Sequence, residues 1–340
     1  MDRQPLLAVE SLGIQFPGAE GAGGPIRAAD GVSFTIGEGQ TLGLVGESGC
    51  GKSATALALL RLVPEPGRIV SGRILLRGRD LLTLSEREMC GVRGRRIGFV
   101  FQEPGAALNP VLTVGTQIAE GPVVHRLMKK KEALREAERL MTLVRIPDAA
   151  RRVREYPHQM SGGMRQRVMI AIALSCRPEL VVADEPTTAL DVTLQAEILS
   201  LLRHLRDELG LALLLISHNL GVIAEMADRV AVMYAGRIVE QAAVRDLFRE
   251  PLHPYTAGLL RSMPRLGAGR ATGKERLQAI EGNVPDLGRL PAGCAFHPRC
   301  PEAIPVCRQA VPPILLPRPG REVACVLYGP VTAGTPRISS

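Results

Sequence analysis

This sequence predicts an α/β fold in which a mostly parallel sheet is layered with helices. Compact apolar runs of strand length alternate with amphipathic helical stretches as far as Glu250, the pattern of a layered α/β domain. One such run leads into Gly46-Glu47-Ser48-Gly49-Cys50-Gly51-Lys52-Ser53, which is followed by a helical stretch. Another, Leu180–Ala183, ends in two adjacent carboxylates, Asp184 and Glu185.

The individual elements follow from periodicity. Thr41–Val45, Ile97–Phe101, Leu180–Asp184 and Ala212–Ile216 are uninterrupted apolar runs, as expected of strands buried on both faces. Val230–Tyr234 and Arg237–Glu240 flank Ala235-Gly236, so a two-residue hairpin is predicted. Between Lys129 and Arg145, Ala133, Leu134, Ala137, Leu140, Met141 and Val144 recur at helical spacing, and Leu194, Ile198, Leu201, Leu202 and Leu205 do so later. Beyond Glu250, Pro and Gly become frequent, periodicity fades, and four of the seven cysteines gather between Cys294 and Cys325. This shift predicts a division into residues 1–250 and 251–340, with the last ten or so residues as a loose tail.

Composition narrows the class. Of 340 residues, 46% are hydrophobic but only 3% aromatic, with no Trp, so the core must be aliphatic. The net charge of +8 reads first as a solvated, Arg-rich surface and second as attraction to an anionic membrane face. Nucleic-acid binding ranks third and is not expected, because no basic stripe interleaved with aromatics is present. No apolar run approaches the ~20 residues of a membrane helix. Met1–Pro5 lacks the charged and apolar regions of a signal peptide, so a cytoplasmic location is expected. There, a cysteine cluster points to a metal or redox site before a disulfide framework.

Residues 46–53 match the complete phosphate-loop pattern in its required strand–loop–helix context. Glycines let backbone N–H groups curl around phosphate oxygens. Lys52 is then expected to neutralise the β/γ-phosphates, and Ser53 to ligate Mg²⁺. Asp184 would hold the same Mg²⁺, and Glu185 would orient and polarise the attacking water. These features together define a P-loop nucleoside triphosphatase. Ser161-Gly162-Gly163-Met164-Arg165-Gln166 adds a second candidate anion-binding helix start, with a Ser cap and outward-facing N–H groups.

That hexapeptide resembles the signature loop of ATP-binding cassette (ABC) proteins, with Met164 where many members carry Gln. The resemblance implies a RecA-like core, a helical subdomain at about 104–164, an N-terminal antiparallel β-subdomain and a small Cys-containing C-terminal extension. It also implies that Ser161, Gly162 and Gly163 close on nucleotide held by a partner subunit in a head-to-tail dimer. Gln102 resembles the Q-loop glutamine, which contacts Mg²⁺ and attacking water. Ala189-Leu190-Asp191 resembles the D-loop between the two sites, and His218 resembles the switch histidine at the γ-phosphate. Asn219 departs from the family, which usually has Asp there. Phe16 reads equally as an adenine-stacking aromatic or a core Phe.

The resemblance narrows to the oligopeptide/dipeptide (peptide/nickel) importer ATPases through Tyr156–Arg167, Glu185–Thr193, His253-Pro254-Tyr255-Thr256 and Gly293–Pro301, and it covers nearly the whole chain. It implies a second, similar ATPase subunit (expected to be a distinct paralogue), two membrane permeases and an extracytoplasmic peptide-binding protein. The chain would sit peripherally on the cytoplasmic membrane face, with a permease helix received around Glu103–Glu120. Nickel or another small solute is the alternative cargo. A non-transport ABC ATPase fits less well, because Lys52–Ser161 holds no sustained heptads and the chain has one phosphate loop.

Cys294, Cys300, Cys307 and Cys325 are separated by five, six and seventeen residues, wider than zinc knuckles. Four thiolates in a Pro-rich segment argue for a metal holding the fold together. The resemblance implies a 4Fe–4S cluster on these four; zinc and unligated buried thiols are the other readings.

Overall fold

The computed structural model describes residues 4–18, 24–188, 190–263 and 280–329. The predicted tail beyond 329 and Ala189 of the D-loop stretch lie outside them. The strands are β1 (Leu7–Phe16), β2 (Ile26–Ile36), β3 (Thr41–Val45), β4 (Arg68–Leu76), β5 (Arg79–Asp80), β6 (Ile97–Val100), β7 (Leu180–Asp184), β8 (Ala212–Ser217), β9 (Arg229–Tyr234), β10 (Arg237–Ala243), β11 (Leu315–Arg318) and β12 (Arg321–Val323). They form an antiparallel sheet ordered β2-β1-β4-β5 and a larger one ordered β11-β12-β10-β9-β3-β8-β7-β6.

In the larger sheet, β6, β7, β8, β3 and β9 run parallel. Successive residues therefore face opposite layers. Val181, Ala183, Leu213 and Leu215 join a core with the helices Val114–Val124, Lys130–Leu143, Gly162–Leu174 and Val192–Leu209. Leu180, Val182, Leu214 and Ile216 join a second core with the antiparallel sheet and the helix Lys52–Ala58. Burial on both faces is why these strands read as unbroken apolar runs.

The predicted hairpin is present: β9 and β10 pair around Ala235 and Gly236, with φ of 46° and 81°, both in the left-handed region that primed two-residue turns require. Beyond residue 250 the chain returns to the larger sheet, where β12 pairs antiparallel with β10 and β11 with β12. This docking rests on a buried pair: Arg321 donates to Glu240 at 3.0 Å, and Glu240 also accepts from the backbone N–H of Leu252 and His253, each at 2.9 Å. Among the described residues, no helix is long and apolar enough to cross a membrane.

Candidate nucleotide site

The loop between β3 and the helix Lys52–Ala58 is shaped by two glycines that no other residue could replace without movement. A Cβ on Gly46 would lie 2.1 Å from the Met233 carbonyl oxygen. One on Gly51, where φ is 104°, would lie 1.9 Å from that of Ala28. Lys52 folds back into the loop and donates to the carbonyls of Gly46 at 2.9 Å and Glu47 at 3.0 Å. Cys50 is buried against it, with its thiol pushed up by burial.

Parallel pairing of β3 through β8 to β7 brings the two acids to the mouth of this loop. Ser53 donates to Asp184 at 3.1 Å, placing two oxygen donors side by side, a set suited to a hard divalent cation such as Mg²⁺. Burial raises the Asp184 pKa; the Ser53 hydrogen bond opposes that and the neighbouring Glu185 charge adds to it. A bound cation would favour the ionised form.

Glu185 has a φ of 46°, a conformation that costs a non-glycine residue free energy and recurs at functional sites. Its backbone N–H donates to the Ile216 carbonyl at 3.0 Å. Its Oε2 accepts from Thr188 at 2.8 Å and Gln102 at 3.4 Å, and lies 3.1 Å from Nδ1 of His218. Gln102, Glu185 and His218, distant in sequence, thus meet at one carboxylate oxygen. A carboxylate oriented this way beside an anion-binding loop can polarise a water for attack on phosphorus. Thr188 belongs to the Glu185–Thr193 stretch, but the sequence assigned it no role of its own. Asn219 caps the helix Leu220–Met226, its Oδ1 accepting from Gly221 N–H at 2.8 Å. The amide oxygen thus performs the hydrogen bond that the family's Asp could make.

A cleft of ≈ 510 Å³ connects these groups, lined by Ser48, Gly49, Gly51, Lys52, Ser53, Gln102, Glu185 and His218, and also by Ala28 and Leu287. Leu287 comes from the C-terminal segment and had no sequence signal. Phe16 does not line the cleft: its ring packs where a Gly67 Cβ would lie, 2.4 Å away. Ser161, Gly162, Gly163 and Asp191 also lie outside it. Ser161 caps the helix Gly162–Leu174 by accepting from Met164 N–H at 3.3 Å, and Asp191 caps Val192–Leu209 by accepting from Leu194 N–H at 2.9 Å. Ser161 and Gly162 are exposed, with open space beside Gly162.

Cys294, Cys300, Cys307 and Cys325 line one narrow cavity with His253, Phe296 and His297. None is in a disulfide. Burial, with the other cysteines adding, pushes Cys300 up to about 11 and Cys325 up to about 12. Among the described residues, no three of His, Cys, Asp or Glu are placed to hold a metal ion. The side-chain positions therefore do not carry the expected metal site, although the four-sulfur donor set is chemically that of an iron–sulfur ligand group.

The sequence matches the ABC transporter family model over residues 29–188 and the model for the oligopeptide/dipeptide transporter C-terminal region over 239–307. It is 53% identical over 321 residues to a probable peptide ABC transporter ATP-binding protein of Sinorhizobium fredii, covering 94% of each chain. It is 52% identical over 305 residues to the oligopeptide transport ATP-binding protein AppD of Bacillus subtilis, covering 89% of this chain and 92% of that one. Against OppD of Salmonella typhimurium the identity is 48% over 320 residues, covering 94% and 93%. Among solved structures, the ATP-binding cassette MJ0796, a dimer in a post-hydrolysis state bound to ADP and Pi, superimposes with a TM-score of 0.62 at 26% identity, covering 70% of this chain and 99% of that one. On these grounds the chain belongs to the ABC transporter family, as an ATP-binding subunit carrying the oligopeptide/dipeptide transporter C-terminal region.

Proposed function

We propose that this chain binds and hydrolyses ATP to power import of di- and oligopeptides through a membrane permease complex. The observation that carries the reading is the convergence of Gln102, Thr188 and His218 on Glu185 at the mouth of the Lys52 loop. Roles follow from position: Lys52 and the loop N–H groups bind the triphosphate, and Ser53, Asp184 and Gln102 would hold Mg²⁺. Glu185 orients water in line with the terminal phosphorus; the water oxygen bonds to phosphorus as the P–O bond to ADP breaks, and the water's protons leave with inorganic phosphate. Bound Mg²⁺ would neutralise phosphate charge.

Ser161, Gly162 and Gly163 are assigned to the nucleotide of a partner ATPase subunit, and Asp191 to communication between the two sites. The exposure of Ser161, Gly162 and Asp191, away from the cleft of their own chain, supports this assignment. The partner is read as a distinct paralogue. We divide the chain functionally into an ATPase part, 1–250, with a helical subdomain at about 104–164, and an extension, 251–340. The permease contact is assigned to Glu103–Glu120, where Val111 is 76% exposed and Leu112 is also exposed. The chain would then lie peripherally on the cytoplasmic membrane face, with an extracytoplasmic binding protein choosing cargo. Affinity purification of the full chain from native membranes tests this: two permeases and a peptide-binding protein should co-elute. Recovery of a nickel-binding protein instead would change the cargo, and recovery of no membrane protein would overturn the reading.

The four cysteines are assigned to a 4Fe–4S cluster, supported by their convergence on one cavity without disulfides. It would hold the extension together and takes no part in hydrolysis. Anaerobically purified protein should absorb in the visible iron–sulfur region and contain about four iron atoms per chain. Colourless, zinc-loaded or metal-free protein would remove the cluster.

A further inference from the structure

The phosphate loop is held from outside by the C-terminal segment. Arg299, whose side chain is 5% exposed, donates from Nη1 to Oε2 of Glu47 at 2.8 Å and from Nη2 to Oε1 at 3.0 Å. Its remaining donors reach the Tyr234 hydroxyl at 3.4 Å, the Ile280 carbonyl at 3.3 Å and the Glu281 carbonyl at 3.0 Å. The guanidinium is therefore fixed on all sides. The Glu47 backbone N–H donates to the hydroxyl of Tyr255 at 2.9 Å, and its carbonyl accepts from Lys52. Phe296, three residues before Arg299, packs against both Tyr234 and Tyr255, with ring centroids 5.2 and 5.4 Å apart.

Glu47 places a negative charge on a loop that must receive a polyanion. Without a counter-charge it would repel the incoming triphosphate. We propose that Arg299 is a positioning residue for ATP binding: it neutralises and anchors Glu47, so the affinity of the phosphate loop depends on the segment that carries the cysteines. This deepens the ATPase reading and rests on it. Two separate parts of the extension reach the nucleotide site, because Leu287 lines the cleft itself.

The test is calorimetric titration of MgATP into the full chain, with thermal midpoints recorded in parallel. Arg299→Ala should weaken MgATP binding by about tenfold or more, the scale of one lost charge-assisted contact. Adding Glu47→Gln to that variant removes the uncompensated charge and should recover most of the lost affinity, a rescue that a general folding defect would not show. Glu47→Gln alone should lower the thermal midpoint yet tighten MgATP binding. Should Arg299→Ala fail to fold, Arg299→Lys keeps the charge but loses the fork, and should bind MgATP more tightly than Arg299→Met. Parent-like affinity in Arg299→Ala or Arg299→Met, or a double variant as weak as Arg299→Ala, would overturn the proposal. Lys52→Ala separates the two levels: if it abolishes binding while Arg299→Ala binds MgATP like the parent, this inference alone fails. If Lys52→Ala binds normally, the ATPase reading fails and takes the inference with it.

Discussion

Replacing Arg321 with Ala should unfasten the C-terminal strands from the main sheet. Arg321 and Glu240 are both almost fully buried, at 4% and 1% exposure. The Glu240 carboxylate has three partners: the N–H groups of Leu252 and His253, and the Arg321 guanidinium. Arg321→Ala leaves the two amide donors but removes the only charged one. Breaking a buried pair from one side costs about 3–5 kcal/mol, because the remaining charge stays uncompensated. Set against a typical total of about 5–15 kcal/mol, that is a large share of the stability. The loss should also be local, since Ala324 N–H donates to the Val239 carbonyl at 2.8 Å just beyond the pair. Urea unfolding should show a lower midpoint, and amide exchange should quicken first at Val323 and Ala324. Replacing both partners, as Glu240→Gln with Arg321→Met, should cost much less than Arg321→Ala. A loss below about 1 kcal/mol in the single variant, no more than an ordinary hydrogen bond, would refute the reasoning.

Three further outcomes are expected. Gly51→Ala combines a left-handed φ of 104° with a 1.9 Å approach to the Ala28 oxygen; it should displace the loop and abolish MgATP binding, read by calorimetry. Asn219→Ala removes the cap on Leu220–Met226 and should cost about 0.5–2 kcal/mol in chemical denaturation, whereas Asn219→Asp should restore the loss. Burial pushes the Glu179 carboxyl up, but hydrogen bonds from Arg96 and Arg77 more than offset it, leaving it below its ordinary 4.5. A depressed carboxylate stabilises the fold above that value and loses the contribution as pH falls below it. Glu179→Gln should therefore flatten the acid limb of a stability–pH curve.

The central sheet and the phosphate site were legible in the sequence for physical reasons. Strands β3, β7 and β8 are buried on both faces, so burial writes itself as an apolar run. Gly46 and Gly51 are dictated by backbone approach, so the loop has little freedom of composition. By contrast, β1 and β4 carry register shifts, which blur the period-2 pattern. Strands β11 and β12 are only four and three residues long, too short for any period to show. Arg299 and Leu287 act on the site from more than 230 residues away in sequence, counted from Lys52. Their roles depend on how the extension folds back, which no local pattern encodes. Phe16 read equally as an adenine-stacking or a core aromatic, and its ring lies over Gly67.

The proposed hydrolysis centres on the carboxylate hub at Glu185. Steady-state ATP hydrolysis and bound nucleotide should be measured together on the purified transporter complex carrying Glu185→Gln in this subunit. Loss of phosphate release from this subunit's site, with ATP retained there and the ATPase subunits held closed on it, is the predicted result. Parent-level hydrolysis at that site would contradict the assignment of water activation to Glu185.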